Sequence, residues 1–323
     1  MKKKFIKIIL IAGIILSVLG SIIFTIAMSV NGWDFGVLAT HVAEAKTVEI
    51  QNEQELQRVT AVKIDVSTAN VKILYHDEQK IIVKAFDLKT IKGELTQTID
   101  VNVEENNLEI KEKNIKTINL QTGTKGKTEI EVVLPWQMAV SISATLTTGK
   151  VHLGNEGEDY TYQDVKINLF TGDVKLVGNV NCKDVALKTT TGDIYFNGNL
   201  TCDSLKINSS TGDVFVNGEI KTGILEKEST TGDFVINKKV EARKIEVEQG
   251  TGHFKCNAFI TANEIEIDTS TGDVCLKLLG FKNDYSYVYE ITTGRSNIPA
   301  FSNGNKRIEI ETTTGDIEIY FEQ

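Results

Sequence analysis

Recurring Thr-Gly pairs place glycine at 149, 172, 192, 212, 232, 252, 272, 294 and 315, at intervals of 23, 20, 20, 20, 20, 20, 22 and 21 residues. Five successive intervals of 20 mark a structure that repeats, and the unit is too short for a helical hairpin. Leucine-rich repeats share the length, but their leucine pattern is absent. A propeller blade needs about 40–45 residues, twice what each unit offers.

Counting from each glycine as zero, positions 2 and 4 are apolar: Val174/Leu176, Ile194/Phe196, Val214/Val216 and Phe234/Ile236. Position 8 is Val180, Leu200, Ile220, Val240 and Ile260. Positions 13 and 15 are Val185/Leu187, Leu205/Ile207, Ile245/Val247 and Ile265/Ile267, with Lys227 the exception. Polar residues separate them, so each unit reads as two short strands with one face inward. The fold class that follows is all-β: a single-stranded parallel β-solenoid (β-helix) of about 20 residues per coil, with one N-terminal transmembrane helix ahead of it. Coils would stack about 4.7–4.9 Å apart. An antiparallel meander of hairpins is the rival, because Thr-Gly-Asp can also close a hairpin.

The columns created by stacking sort residues by role. Gly172, Gly192, Gly212, Gly232, Gly252, Gly272 and Gly315 are read as structural turns. Asn197, Asn217, Asn237 and Asn257 at position 5 are read as a hydrogen-bonded ladder. Cys182, Cys202, Thr222, Ala242 and Ala262 at position 10 suit a crowded inward site. Stacking brings Cys182 and Cys202 within disulfide range in Cα distance but leaves their Cβ atoms far apart, so buried thiols are expected. Cys256 falls at an inward position and Cys275 at an outward one. No C-x-x-C and no metal-spaced histidine is present, so zinc is not indicated.

Asp173, Asp193, Asp213, Asp233, Asp273 and Asp316 follow the glycines. Each carboxylate is expected to accept amide hydrogens of its own turn. The rival is a cation column on Asp173, Asp193, Asp213, Asp233 and Asp273, but Ca²⁺ wants more oxygen ligands than one per coil. His253 interrupts the column, and Lys150 and Arg295 replace Asp near its ends. A phosphate cradle needs a helix behind the glycine, where this chain supplies a strand. Tyr285, Tyr287 and Tyr289 alternate like a sugar platform, yet share the phase of inward positions and are assigned to the core. Small excursions near 156–160 and 281–285 are the loops able to shape a pocket. His41, His76, His152 and His253 are scattered and no G-x-S-x-G occurs, so neither catalysis nor a cofactor is indicated.

The N-terminus is a separate object. Lys2, Lys3, Lys4 and Lys7 precede a 23-residue uncharged run at 8–30, long enough to span a bilayer. The lysines place residues 1–7 in the cytoplasm and everything from about 31 outside, with Trp33 and Phe35 at the outer interface. Gly13, Ser17, Ser21, Thr25 and Ser29 recur every four residues, a small-residue stripe suited to a membrane-protein partner or a homodimer. A linker at 31–47 and an irregular β-rich capping part at 48–148 lead to the repeats at 149–323. In the 48–148 part, Ser67-Thr-Ala-Asn-Val-Lys-Ile resembles a degenerate turn lacking its glycine. The C-terminal strand from Asp316 reads as an uncapped edge. Past the lysines the chain holds 31 basic against 44 acidic residues, which excludes nucleic acid as a partner.

The Thr-Gly-Asp-[Val/Ile] turns, the Ala61-Val-Lys-Ile-Asp-Val opening and the Val132-Val-Leu-Pro135 strand together resemble a family of bacterial adhesin-like β-strand-repeat proteins, a domain of unknown function. The resemblance covers roughly 48–323. It implies a membrane-anchored, extracytoplasmic, non-catalytic binding or adhesion module of a Gram-positive cell envelope, facing cell-wall polymer or a surface protein. The alternative it implies is an accessory role in envelope-stress sensing through the membrane helix. A polysaccharide-active enzyme ranks third.

Overall fold

Alternating apolar residues commit one side of every strand to the interior, and a constant 20-residue offset lets each strand find its own copy in the next coil. The computed structural model of the chain describes residues 41–115, 124–136, 138–298 and 303–323. The anticipated span at 8–30, with its stripe of Gly13, Ser17, Ser21, Thr25 and Ser29, lies outside the described residues, as do Trp33 and Phe35. Among the described residues no helix is long and apolar enough to cross a membrane.

Contacts divide the chain into two units. One comprises Met1–Glu44, Asp87–Gln97 and Asn114–Lys127. Within it His41 and Val42 pair in parallel with Thr124 and Lys125, and the Thr96 hydroxyl donates to the Leu88 carbonyl at 3.0 Å. The other comprises Ala45–Phe86, Thr98–Lys113 and Thr128–Gln323, and it holds the repeats. The fold is all-β, with 27 strands among the described residues.

In the repeat unit Val174, Ile194, Val214, Phe234 and Phe254 pair successively, each in parallel and in register. The parallel register removes the hairpin meander. The coil differs from expectation in its strand count, with three segments per coil rather than two. They are Val174–Leu176, Asn179–Asn181 and Asp184–Thr191 in one coil. In others the second and third run together, as in Leu200–Thr211. The short middle segment escapes a period-2 reading because it offers so few inward residues, Val180 alone within Asn179–Asn181.

The inward columns are closed to solvent. Ile194, Val214, Phe234 and Leu205 are fully buried, and Cys182, Cys202, Thr222, Ala242 and Ala262 are buried. Each buried Val, Leu, Ile or Phe contributes about 1.5–3 kcal/mol, so the core rather than the corners holds the stack. The corners set how closely coils approach. Gly192 has φ of 135°, and a Cβ there would lie 2.0 Å from the Gly172 carbonyl oxygen. No other residue fits.

Sequence order and spatial order part company at both ends. Ala61–Thr68 lies between Asn107–Asn114 and Val140–Thr148, each paired in parallel with it. Asn70–His76 likewise lies between Glu129–Pro135 and Val151–Leu153. Residues 61–76 are thus a coil of the stack, with buried Ala69 where later coils have glycine. An antiparallel pairing of Ile82, Val83 and Lys84 with Val133, Val132 and Glu131 lies beside it.

At the other end Gly272 is followed in space by Gly315 and only then by Gly294. Lys306–Thr314 inserts between Glu264–Thr271 and Tyr285–Thr293, and Ile317–Glu322 pairs with Val274–Leu279. Lys306–Thr314 is therefore interior and Tyr285–Thr293 is the outer strand on that face, whereas the expected edge, Ile317–Glu322, pairs with a strand on one side only among the described residues and is met on the other by Ser296 and Asn297. The physical reason is shape. Ile308, Ile310 and Thr312 continue the column of Ile265, Ile267 and Thr269. The larger Tyr287 and Tyr289 suit the last layer, where no further coil competes for space. Tyr285 and Tyr287 are buried, and the Tyr289 hydroxyl donates to the Ile298 carbonyl at 2.9 Å.

Candidate binding groove

The corners after the Val174–Leu176-type strands turn outward at Val177-Gly178, Asn197-Gly198, Asn217-Gly218, Asn237-Lys238 and Asn257-Ala258, and stacking converts them into parallel rows. Asn217 Nδ2 donates to Asn197 Oδ1 at 2.9 Å, Asn237 to Asn217 at 2.8 Å and Asn257 to Asn237 at 2.8 Å. A second row, two positions further along the chain, runs beside it. Asn179 Nδ2 donates to Asp159 Oδ1 at 2.7 Å, Asn199 Nδ2 to Asn179 Oδ1 at 2.9 Å, and the Glu219 amide to Asn199 Oδ1 at 2.8 Å. Between the rows lie Gly178, Gly198 and Gly218. A Cβ on Gly198 would sit 1.7 Å from the Gly178 carbonyl oxygen, and one on Gly218 2.0 Å from that of Gly198.

The result is a groove of about 540 Å³ with a glycine floor and amide walls. Glu156 and Gly157 from the first excursion, with Lys238, form part of its rim. Sequence reading found the first Asn row and the excursion, but not the second row or the groove. Asn179 and Asn199 were the available signal. Beside the groove Tyr195 and Phe215 stack at 5.2 Å with rings 13° apart. They precede Asn197 and Asn217 by two residues on the outward side of their strands.

The aspartate column has a different geometry from the expected local turn. Each carboxylate reaches the next coil. Asp213 N donates to Asp193 Oδ1 at 2.8 Å, Asp233 N to Asp213 Oδ1 at 2.8 Å and His253 N to Asp233 Oδ1 at 2.9 Å. Asp193 N makes the longer version to Asp173, 3.3 Å. His253 substitutes its ring, Nδ1 accepting from Asp273 N at 3.0 Å, and Asp273 Oδ1 accepts from Asp316 N at 2.9 Å. One oxygen of each carboxylate is thereby committed to an amide. Burial alone would raise the Asp233 carboxyl, but the His253 amide and the Lys255 ammonium, 2.8 Å away, outweigh it and hold it below its usual range. Asp173 is lowered the same way, burial being outweighed by Lys150 and the Asp193 amide. Among the described residues no three metal-ligating side chains stand together.

The remaining chemistry-bearing groups are dispersed or closed off. Cys182, Cys202, Cys256 and Cys275 are all free thiols. Burial pushes the Cys182 thiol up to about 12 and that of Cys202 to about 11, so neither supplies a thiolate at neutral pH. His152 bonds the Gly154 carbonyl at 2.8 Å and His76 that of Lys80 at 2.7 Å, in separate surroundings. On the long-strand side Glu228, Glu248, Asp268, Glu311 and Glu290 fall in one register row. Lys206 pairs with Glu228 at 3.3 Å, whereas Glu248, Asp268, Glu311 and Glu290 have no ion pair among the described residues.

Fold and groove together define a class, an all-β chain of stacked parallel coils that displays a regular polar surface. The chain belongs to the Toastrack DUF4097 family, which it matches over residues 59–320. A comparison with curated proteins finds no match. Among solved structures, the chain is similar to a candidate adhesin from Bacteroides fragilis NCTC 9343, with 12% identity, TM-score 0.43, and 85% of this chain and 97% of that one covered. It is also similar to a candidate lipid-binding protein from Parabacteroides distasonis ATCC 8503, with 15% identity, TM-score 0.46 and coverage of 87% and 97%. A candidate cell adhesion protein from Clostridium sporogenes ATCC 15579 shows 10% identity, TM-score 0.26 and coverage of 87% and 100%.

Proposed function

We propose that the chain is a non-catalytic binding module of the bacterial cell envelope, anchored by residues 8–30 and presenting its coils outside the membrane. The observation that carries this reading is the groove between the two asparagine rows, a built concavity whose polar groups repeat with the coil. Its walls are mainly neutral amides, with Glu156, Glu219 and Lys238 at the border. Cell-wall polymer or a surface protein is the partner such a surface would meet. The test is co-sedimentation of the full-length chain, held in lipid nanodiscs, with purified cell walls. Retention that Lys238→Trp abolishes by plugging the exposed rim is the expected outcome. No retention, or retention indifferent to that substitution, would remove the reading.

A second reading, accessory action in envelope-stress sensing, rests on the stripe of Gly13, Ser17, Ser21, Thr25 and Ser29. Replacing Ser17, Ser21 and Thr25 by leucine should separate packed helices and change the stress output of the cell. An unchanged output counts against it.

A further inference from the structure

Resting on the binding-module reading, we infer that the groove between Asn197 and Asn217 on one side and Asn179 and Asn199 on the other takes a neutral oligosaccharide lying along the stack.

The first argument is the hydrogen-bond inventory. An asparagine amide has two N–H donors and an oxygen with two lone pairs. The ladder bonds through Asn217 and Asn237 use one donor and one acceptor of each. One N–H and one lone pair per side chain remain for the exterior, and both side chains are exposed. Asn199 has its donor on Asn179 and its oxygen on the Glu219 amide, which leaves it the same pair of free valences. A surface offering donor and acceptor in equal number, side by side, matches a row of hydroxyls, which also donate and accept.

Charge is the second argument. The groove is bordered by Glu156, Glu219 and Lys238, so no excess of cations is present to hold a phosphate or carboxylate polymer. Two separated carboxylates likewise fall short of what a polycation or Ca²⁺ would require.

Repeat length is the third. The amides recur every 4.7–4.9 Å along the stack. A 1,4-linked pyranose advances by about 5 Å, the projection of the five folded single bonds of ~1.5 Å from one glycosidic oxygen to the next, whereas an extended peptide advances about 3.3 Å per residue. A peptide strand would also need an open sheet edge, and the coils flanking this groove are paired on both sides. The cavity of about 540 Å³ lies within the range of roughly 300–1,000 Å³ that small ligands occupy.

The fourth is the apolar ledge. Tyr195 and Phe215 stand half-buried next to the Asn197–Asn217 wall, with the Tyr195 hydroxyl held by Asp193 Oδ2 at 2.9 Å. Neither ring lines the groove itself, so the ledge would meet a sugar unit that extends past the Asn197–Asn217 wall and lays its C–H groups on a ring face.

Calorimetric titration of the full-length chain in nanodiscs tests this, with cellotetraose, chitotetraose and maltotetraose as neutral probes and an oligogalacturonate as the charged control. At least one neutral probe should bind. Asn199→Leu and, separately, Lys238→Trp should each weaken that binding tenfold or more without moving the thermal unfolding midpoint. Should Asn199→Leu not fold, Lys238→Trp, which leaves both rows and the core untouched, decides alone. Binding that survives Lys238→Trp, tighter binding of the oligogalacturonate, or no binding of any neutral probe overturns the inference. Cell-wall retention measured on the same sample separates the two levels. Retention without neutral-oligosaccharide binding overturns the ligand class alone, and loss of both overturns the binding module as well.

Discussion

Lys227 is the residue that most departs from its column. Its neighbours in register are Ile207 and Val247, yet the residue is 1% exposed and its ammonium donates to Ser229 Oγ at 2.6 Å and Gln249 Oε1 at 2.8 Å. Gln249 in turn donates to the Gly252 carbonyl at 2.7 Å. A lysine beside a serine hydroxyl is the arrangement of a nucleophile and its base, but this amine is committed to two partners and shut away from any substrate. Burial lowers its pKa to about 8, with Asp213 and Asp233 recovering only part of the loss. Against an ordinary value near 10.4, that shift corresponds to roughly 3 kcal/mol of destabilisation while both states are protonated. Lys227→Met should therefore stabilise the protein at pH 7, by about 1–3 kcal/mol after the lost hydrogen bonds are counted. The pH dependence has a definite sign. Between about 8 and 10.5 the unfolded chain holds a proton that the folded chain has released, so wild-type stability rises with pH across that window. Denaturant titrations at pH 7 and pH 10 should show the advantage of Lys227→Met shrinking. A constant advantage would mean that Lys227 is not buried as a titrating amine.

At the scale of the element, the corner does more than bend the chain. Glycine allows the close approach, and the following aspartate then ties its coil to the next through a backbone amide, as Asp213 does to Asp233. Hydrogen bonds to charged groups contribute about 1.5–3 kcal/mol. Asp213→Ala should lie near the lower figure, because the site is partly exposed, and should lower the denaturation midpoint. Asp213→Asn keeps an oxygen at the same place and relieves repulsion along the column, so it should cost much less. Equal losses in the two variants would show that the carboxylate acts through charge rather than as an acceptor. This corner also shows which parts of the fold were legible. The glycine spacing and the period-2 columns revealed the coil, because both are properties of one strand and its own copy. The target of Asp213 was not legible, since an amide in the same turn and one a coil away are equivalent in a string of letters. The groove escaped for a related reason. Asn197 and Asn199 lie on opposite walls only once the Gly198 corner brings successive coils together, and a column-by-column reading keeps them apart.

For the stack as a whole, the transposed end is the consequential feature. A strictly sequential solenoid loses only its last coil when its C-terminus is cut, and the remaining coils keep their contacts. Here Lys306–Thr314 lies between Glu264–Thr271 and Tyr285–Thr293, so a late strand holds an interior layer while an earlier segment forms the outer one. The intervals of 22 and 21 residues were the trace of this in the sequence, extra residues that let the chain skip a layer and return. Which layer it skips is decided by packing. Ile308 and Ile310 fit on Ile265 and Ile267, and Tyr287 caps Ile308. Ending the chain after Asn305 should therefore open a gap one coil wide beneath Tyr285–Thr293. To close it, Tyr287 and Tyr289 would have to settle directly on Ile265 and Ile267, with two aromatic rings where two isoleucines had fitted. Overpacking of that kind costs about 1–3 kcal/mol per site, and the lost burial of Ile308, Ile310, Ile317 and Ile319 adds about 1.5–3 kcal/mol for each. The truncated protein should lose protection from hydrogen exchange not only in 285–293 but back through Glu264–Leu279, which a sequential stack would keep. Exchange measured by mass spectrometry distinguishes the two. Protection unchanged in 264–279 would mean that Tyr285–Thr293 can move down a layer, and that the order of the last two coils is a preference rather than a requirement of the fold.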